Sequence, residues 1–154
     1  MTDPITKTII VNCAATDAFA VFVKNTSAWW PLDGHAASAS QGKAALAVTI
    51  EPRLGGAIYE TMFDGARDDW GEVLEYSEGK HFAMSWHPGN NKDCPTRLNV
   101  TFADTDDGKC LVTLVHSGWE AWGKDADDMR DGYDKGWDNV FGNHYAGGCT
   151  GLVT

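Results

Sequence analysis

Apolar residues recur every three to four positions between Asp125 and Tyr145, which is the spacing of one buried helix face. The large members of this series are Met129, Tyr133, Trp137, Val140, Phe141 and Tyr145. Acidic residues fill the predicted first turn, where the helix dipole favours them, and Gly147-Gly148 provides a stop. The pattern therefore predicts one long amphipathic helix near the end of the chain.

Three glycines interrupt this helix at Gly132, Gly136 and Gly142. Each costs about 1 kcal/mol relative to alanine in a helix interior, so packing must hold the helix in place. Two interpretations stay open. The glycines let the helix lie close against a neighbouring sheet, or they leave room beneath it for a ligand.

Upstream, six segments of strand length follow one another and are separated by turn residues such as Gly, Asp and Asn. Short turns between consecutive strands favour an antiparallel meander. The predicted strands span Ala45–Pro52, Ala57–Met62, Trp70–Tyr76, His81–Trp86, Thr96–Ala103 and Cys110–His116.

Before this meander, Thr6–Ala14 is rich in β-branched residues and predicts a first strand. Two short helical segments follow, at residues 18–23 and at Ser27–Trp30, where Pro31 ends the second. With 154 residues, the chain is expected to form one domain, residues 1–154, with a seven-stranded sheet and a long helix.

This order of elements resembles the helix-grip fold of the START and birch-pollen-allergen superfamily, in which a curved antiparallel sheet wraps a C-terminal helix. Local motifs are similar to the family named after the activator of the heat-shock protein 90 ATPase. These motifs are Glu51–Gly56, Trp70–Glu75, Ser85-Trp86, Leu114–Trp119 and Gly136-Trp137. The resemblance implies an α+β helix-grip domain over nearly the whole chain, but no single activity, because this fold carries many functions.

In the helix-grip fold, the first strand lies antiparallel beside the last. The resemblance therefore implies that Cys13 and Cys110, near two strand ends, come close together although far apart in sequence.

The formal net charge of −10 argues against sequence-independent binding to nucleic acid or to an anionic membrane. The N-terminus lacks the basic and apolar regions of a signal peptide. Four scattered cysteines form no CxxC motif, so their spacing predicts neither a disulfide framework nor a metal site. We expect a cytoplasmic protein with reduced thiols, no cofactor, no nucleic-acid partner and no membrane partner.

Seven tryptophans are unusual in a chain of this length. In a helix-grip fold, four of them approach the gap between sheet and helix: Trp30, Trp70, Trp86 and Trp137. Each ring carries a large apolar surface and one N–H donor that can orient a polar ligand. They either line a ligand cavity or fill it.

Among the ionisable residues, the candidates to face the same gap are Glu60, Glu72, His81 and His116. Glu60 alternates with Ile58 and Met62, so it shares a strand face with apolar neighbours. A buried carboxylate beside a histidine can perform general acid–base catalysis.

The first hypothesis is a carrier or sensor that binds an apolar or amphipathic small molecule without turning it over. Its ligand-binding residues would be Trp30, Glu60, Trp70, Glu72, Trp86, His116, Tyr133, Trp137 and Phe141. A second hypothesis is an interaction protein with a chaperone partner, as the family resemblance implies. A third is an enzyme that uses Glu60 or Glu72 with His116.

Overall fold

The computed structural model describes residues 3–34, 37–87 and 95–150. Seven strands precede a helical C-terminal segment, and two short helices follow the first strand. The strands are β1 (Ile5–Val11), β2 (Ala47–Ile50), β3 (Ala57–Thr61), β4 (Arg67–Ser77), β5 (His81–Trp86), β6 (Thr96–Asp104) and β7 (Cys110–Ser117). The α-helices are α1 (Ala15–Lys24), α2 (Thr26–Trp29), α3 (Ala126–Asn139) and α4 (Ala146–Thr150). Two 3₁₀ segments cover Ala37–Gln41 and Trp119–Asp125.

All seven strands form one curved antiparallel sheet in the order β1-β7-β6-β5-β4-β3-β2. The predicted helix-grip fold is confirmed. β1 pairs with β7 so that Val11 lies opposite Cys110. Cys13 follows Val11 by two residues, and the predicted neighbour relation of the first and last strands is therefore confirmed.

Strand β4 contains two irregularities that bend it. The pairing with β3 jumps from Gly71 to Asp69, so Trp70 is an extra residue. The pairing with β5 skips Leu74 in the same way. Bulges of this kind bend a strand and change which face its residues occupy. Gly71 is required here, because a Cβ atom at this position would lie 1.8 Å from the Ser85 carbonyl oxygen.

The turn before β3 is built from the Glu51–Gly56 motif. The Glu51 carboxylate accepts a 2.7 Å hydrogen bond from the Ala57 N–H and a 3.2 Å bond from Arg53. Gly55 has a φ of +79°, and a Cβ atom on Gly56 would lie 2.4 Å from the Glu51 carbonyl oxygen. Both glycines therefore serve the geometry of the turn.

The C-terminal helical segment is longer than predicted and is not uniform. After α3, a π-helical stretch spans Val140–Tyr145, and α4 continues to Thr150. The predicted stop at Gly147-Gly148 is wrong. A Cβ atom on Gly148 would lie 3.0 Å from the Trp29 Cβ atom, so α4 packs closely against α2 at this glycine.

Polar contacts attach this helical segment to β1 and to α1. The Lys7 ammonium on β1 lies 2.8 Å from Asp134 and 2.9 Å from Asp138. The Tyr145 hydroxyl donates a buried 2.7 Å hydrogen bond to the Ala18 carbonyl of α1. These contacts place α3 over the β1 edge of the sheet and the π-helical stretch against α1. No helix within the described ranges is long and apolar enough to cross a membrane.

Candidate ligand-binding site

Four tryptophans meet between the sheet and α3, as the sequence predicts. Trp30 follows α2, Trp70 and Trp86 lie on β4 and β5, and Trp137 lies on α3. The Trp30 ring centroid lies 5.3, 5.9 and 6.1 Å from those of Trp70, Trp86 and Trp137, respectively. Tilted and edge-on pairs at these distances are favourable. Trp86 also contacts the other three, so Trp30 and Trp86 together form the centre of this tryptophan cluster.

A narrow apolar space lies beside the cluster, between α1, α2, the sheet and α3. Of its ten lining side chains, only Thr26 carries a hydroxyl, and the others are aliphatic, aromatic or Met. Trp30, Trp86 and Trp137 line it, whereas Trp70 does not. The space has no volume that a water-sized molecule can occupy. The tryptophans therefore both line and fill the interior.

A buried histidine connects α3 to the sheet. The Trp137 indole N–H donates a 3.0 Å hydrogen bond to His116 Nδ1. On the other side of the ring, His116 Nε2 lies 2.6 Å from the Thr96 hydroxyl, and that hydroxyl donates to the Trp86 carbonyl at 3.0 Å. The chain of bonds thus begins and ends at two members of the tryptophan cluster.

These partners determine the protonation of His116. An indole N–H can only donate, so Nδ1 must be unprotonated and Nε2 must carry the proton of a neutral ring. Burial lowers the pKa of His116 to about 3, which also favours the neutral form. His116 is fully buried, with its ring centroid 4.2 Å from that of Trp119. Neutral His116 therefore acts as a fixed link between α3 and β7.

Tyr133 and Phe141 have different positions along the helical segment. Tyr133 is half-buried and covers the His116 ring, with centroids 4.9 Å apart. Phe141 is buried and stacks on Tyr145, with the two ring centroids 5.6 Å apart. Phe141 is not among the side chains that line the enclosed space.

The two candidate carboxylates lie in different surroundings. Glu60 is fully buried, as predicted, and accepts hydrogen bonds from the Ser38 backbone N–H at 2.9 Å and hydroxyl at 2.8 Å. Glu72 is exposed on β4, so the expectation that it faces the interior is wrong. Strict alternation from Trp70 would turn Glu72 inward, but the bulge in β4 turns Val73 inward instead.

Sequence reasoning missed Thr96 and Trp119. Thr96 begins the inward-facing series of β6, in which Leu98, Val100 and Phe102 are apolar. A hydroxyl on an otherwise apolar face was the available signal, because a buried hydroxyl needs a partner. The Trp119 indole donates to the His116 carbonyl at 3.0 Å and closes one side of the histidine.

Among the described residues, no group of three or more His, Cys, Asp or Glu side chains could hold a metal ion.

Comparison with solved structures supports the architecture and links it to several kinds of protein. An anthrahydroquino-gamma-pyrone synthase, solved as a complex, is 25% identical, with a TM-score of 0.59 over 86% of this chain and 87% of its own. A protein from Nitrosomonas europaea is 10% identical, with a TM-score of 0.65 over 99% of this chain and 94% of its own.

An HSP90 activator from Plasmodium falciparum is 17% identical, with a TM-score of 0.51 over 75% of this chain and 73% of its own. The similarities to the Nitrosomonas europaea protein and to the HSP90 activator concern the fold alone. A search of curated proteins found no match. The family model described as activator of Hsp90 ATPase homolog 1-like protein matches residues 14–143, which include both short helices, strands β2 to β7 and most of the C-terminal helical segment. The chain therefore belongs to the Hsp90 ATPase activator homolog 1-like family.

Proposed function

We propose that this protein is a cytoplasmic carrier or sensor that binds an apolar or amphipathic small molecule between the sheet and α3. The observation that carries this proposal is the apolar space between the sheet and α3, whose ten lining side chains come from both short-helix regions, the sheet and α3. Sites for small molecules are concave, mostly apolar and placed between elements of structure. The likeness to a synthase solved as a complex supports small-molecule binding by this fold.

A ligand enters only if an aromatic side chain moves, because the space has no volume for even a water molecule. Trp30 is the side chain best placed to move. It is the residue after α2, has an extended backbone and precedes Pro31, whereas Trp86 and Trp137 are anchored in a strand and a helix. Trp30 is also slightly more exposed than these two, at 8% against 3%. Displacement of its indole opens the space toward the surface.

Turnover by His116 has less support. Both nitrogens of the His116 ring are engaged, Nε2 by Thr96 and Nδ1 by Trp137. A general base needs a ring nitrogen that can reach a substrate proton. This arrangement favours a structural role for His116 and binding without catalysis.

The proposal is tested with indane, a small apolar probe, and the variant Trp30→Ala. We expect indane to bind the wild type weakly and to shift the methyl NMR signals of Ile58, Met84 and Leu98, which line the space. Trp30→Ala removes the side chain that must move. If the open form makes up less than a tenth of wild-type molecules, affinity should rise by more than about tenfold.

Trp122→Ala is the matched control, because Trp122 is a half-buried tryptophan outside the lining. It should leave the indane affinity unchanged. Where Trp30→Ala does not fold, Trp30→Leu removes the indole and retains some packing. The proposal is overturned if indane shifts none of these three methyl signals in the wild type and in the folded Trp30 variant. Native mass spectrometry of the purified protein then shows whether a chaperone co-purifies instead.

A further inference from the structure

The indole N–H groups of the buried tryptophans differ in their hydrogen bonding. Four of them donate to acceptors within the fold at 2.8 to 3.1 Å. These four are Trp29 to the Val21 carbonyl, Trp70 to Asp68, Trp119 to the His116 carbonyl, and Trp137 to His116 Nδ1. The Trp86 indole N–H has no acceptor among the described residues, although the nitrogen is buried.

A buried N–H without an acceptor is rare in folded proteins, because the group has lost its bond to water and gained nothing in return. Trp86 is only 3% exposed, and the enclosed space that it lines is too small for a water molecule. Neither bulk solvent nor a water held in that space can therefore satisfy the donor.

Packing holds the Trp86 side chain where it is. Its ring lies 5.5 to 5.9 Å from those of Trp30, Trp70 and Trp137. Its backbone carbonyl accepts the Thr96 hydroxyl at 3.0 Å, which ties this end of β5 to β6. The donor is thus preorganised, so the protein loses little conformational entropy when a partner binds it.

The other side chains of the space limit what that partner can be. The Thr26 hydroxyl already donates to the Phe22 carbonyl at 2.6 Å. No lysine, arginine or histidine lines the space, so an anionic group would be buried there without a counter-charge. The rings around it favour a flat aromatic body, which can pack face-on or edge-on against indoles.

We infer that Trp86 determines ligand specificity, and that the ligand is a neutral aromatic molecule whose carbonyl oxygen accepts a hydrogen bond from Trp86 Nε1. This inference rests on the proposed function, since it concerns the same space. It adds a definite chemical requirement: the ligand carries one uncharged acceptor on an otherwise apolar ring system.

Two probes of nearly equal shape test it: 1-indanone, which has a carbonyl group, and indane, which lacks it. Their dissociation constants are measured for the wild type, for Trp86→Phe and for Trp29→Phe. Trp86→Phe removes the free donor and keeps an aromatic ring. Trp29→Phe makes the same change at a buried indole outside the lining, whose N–H is already bonded to Val21.

The preference for 1-indanone over indane should fall about fivefold or more in Trp86→Phe and stay at the wild-type value in Trp29→Phe. In the wild type, the Trp86 indole N–H signal should move downfield with 1-indanone and much less with indane. This NMR measurement needs no variant, so it also decides the case in which Trp86→Phe does not fold.

Two results overturn the inference, and they are distinguishable. If both probes bind and neither the preference nor the Trp86 signal responds to the carbonyl group, Trp86 does not read an acceptor, while the proposed function stands. If neither probe binds the wild type at its solubility limit or the Trp30 variant, the proposed function fails and the specificity role fails with it.

Discussion

His116 illustrates how one buried ionisable residue couples a helix to a sheet. Its Nδ1 accepts from Trp137 on α3, and its Nε2 bonds to Thr96 on β6. A proton added at Nδ1 would remove the acceptor and leave two N–H donors facing each other. A charged ring would also be buried among the aromatic rings of Trp119, Tyr133 and Trp137. The folded state therefore requires the neutral ring.

We expect this requirement to appear as a loss of stability in acid. The pKa of His116 is about 3 in the folded chain, against an ordinary value near 6.5. Between these two values the unfolded chain binds a proton that the folded chain does not, so the stabilisation is complete above about pH 6.5 and is lost as the pH falls toward 3. At pH 5 the loss is roughly 2 kcal/mol.

Urea denaturation at pH 7 and pH 5 measures this loss, and His116→Gln is its control. Glutamine retains an N–H for Thr96 but does not titrate. The variant should be less stable at pH 7 and should lose about 2 kcal/mol less between the two pH values. An NMR titration in which the His116 ring changes charge near pH 6.5 would contradict the prediction.

At the scale of elements, the glycine in the bulged strand and the glycines in the C-terminal helical segment have opposite roles. Gly71 lies in a bulged strand and is required by the close approach of Ser85. Gly132 and Gly142 lie in the C-terminal helical segment, where an added Cβ atom would meet nothing within 4 Å. The sequence left two roles open for the helix glycines, which were close packing against the sheet and room for a ligand. Neither role applies to Gly132, because it is exposed and lies neither against the sheet nor over a ligand space.

We therefore predict opposite effects for the same substitution. Gly71→Ala should destabilise the protein by several kcal/mol, because its Cβ atom would lie 1.8 Å from backbone oxygen that β5 cannot easily move. Gly132→Ala should stabilise it by about 0.5–1 kcal/mol, since alanine favours the helix and the space is open. Thermal and urea unfolding of both variants measures the two effects. Equal changes in the two variants would show that the bulge at Gly71 is misplaced.

Across the whole molecule, the two ends of the chain meet at three buried cysteines. Cys13 follows β1, Cys110 begins β7, and Cys149 lies in α4. Burial raises the pKa of all three thiols, to about 11 for Cys110 and about 12 for Cys149. Because only the thiolate reacts, these residues should be inert in the folded protein.

Iodoacetamide labelling at pH 8, followed by peptide mass spectrometry, tests this arrangement. We expect Cys13, Cys110 and Cys149 to label only as fast as the protein opens, and all three to label rapidly in urea. The two conditions form an internal control for the reagent. Rapid labelling of Cys149 alone would show that α4 detaches from the sheet, and rapid labelling of Cys110 would contradict the pairing of β1 with β7.

The family motifs and the short-range patterns of this sequence were sufficient for the architecture. Alternation over five to ten residues marked the strands, and the series from Met129 to Tyr145 marked the buried helix face. These signals are local, so they survive without knowledge of the fold. They also placed Trp30, Trp70, Trp86 and Trp137 together once the order of elements was recognised.

Long-range packing decided the rest. The bulge in β4 turned Glu72 outward, and the helix continues through Gly148 where α4 packs against Trp29, although the local sequence predicts the opposite in each case. The partners of His116 come from β6 and α3, about 20 residues away on either side. No local pattern reports such contacts, because a hydrogen bond between distant elements depends on where the whole chain places them. The sequence alone therefore determined which elements form and which face of each is apolar, and the tertiary structure decided which donors are satisfied and that the tryptophans close the space they line.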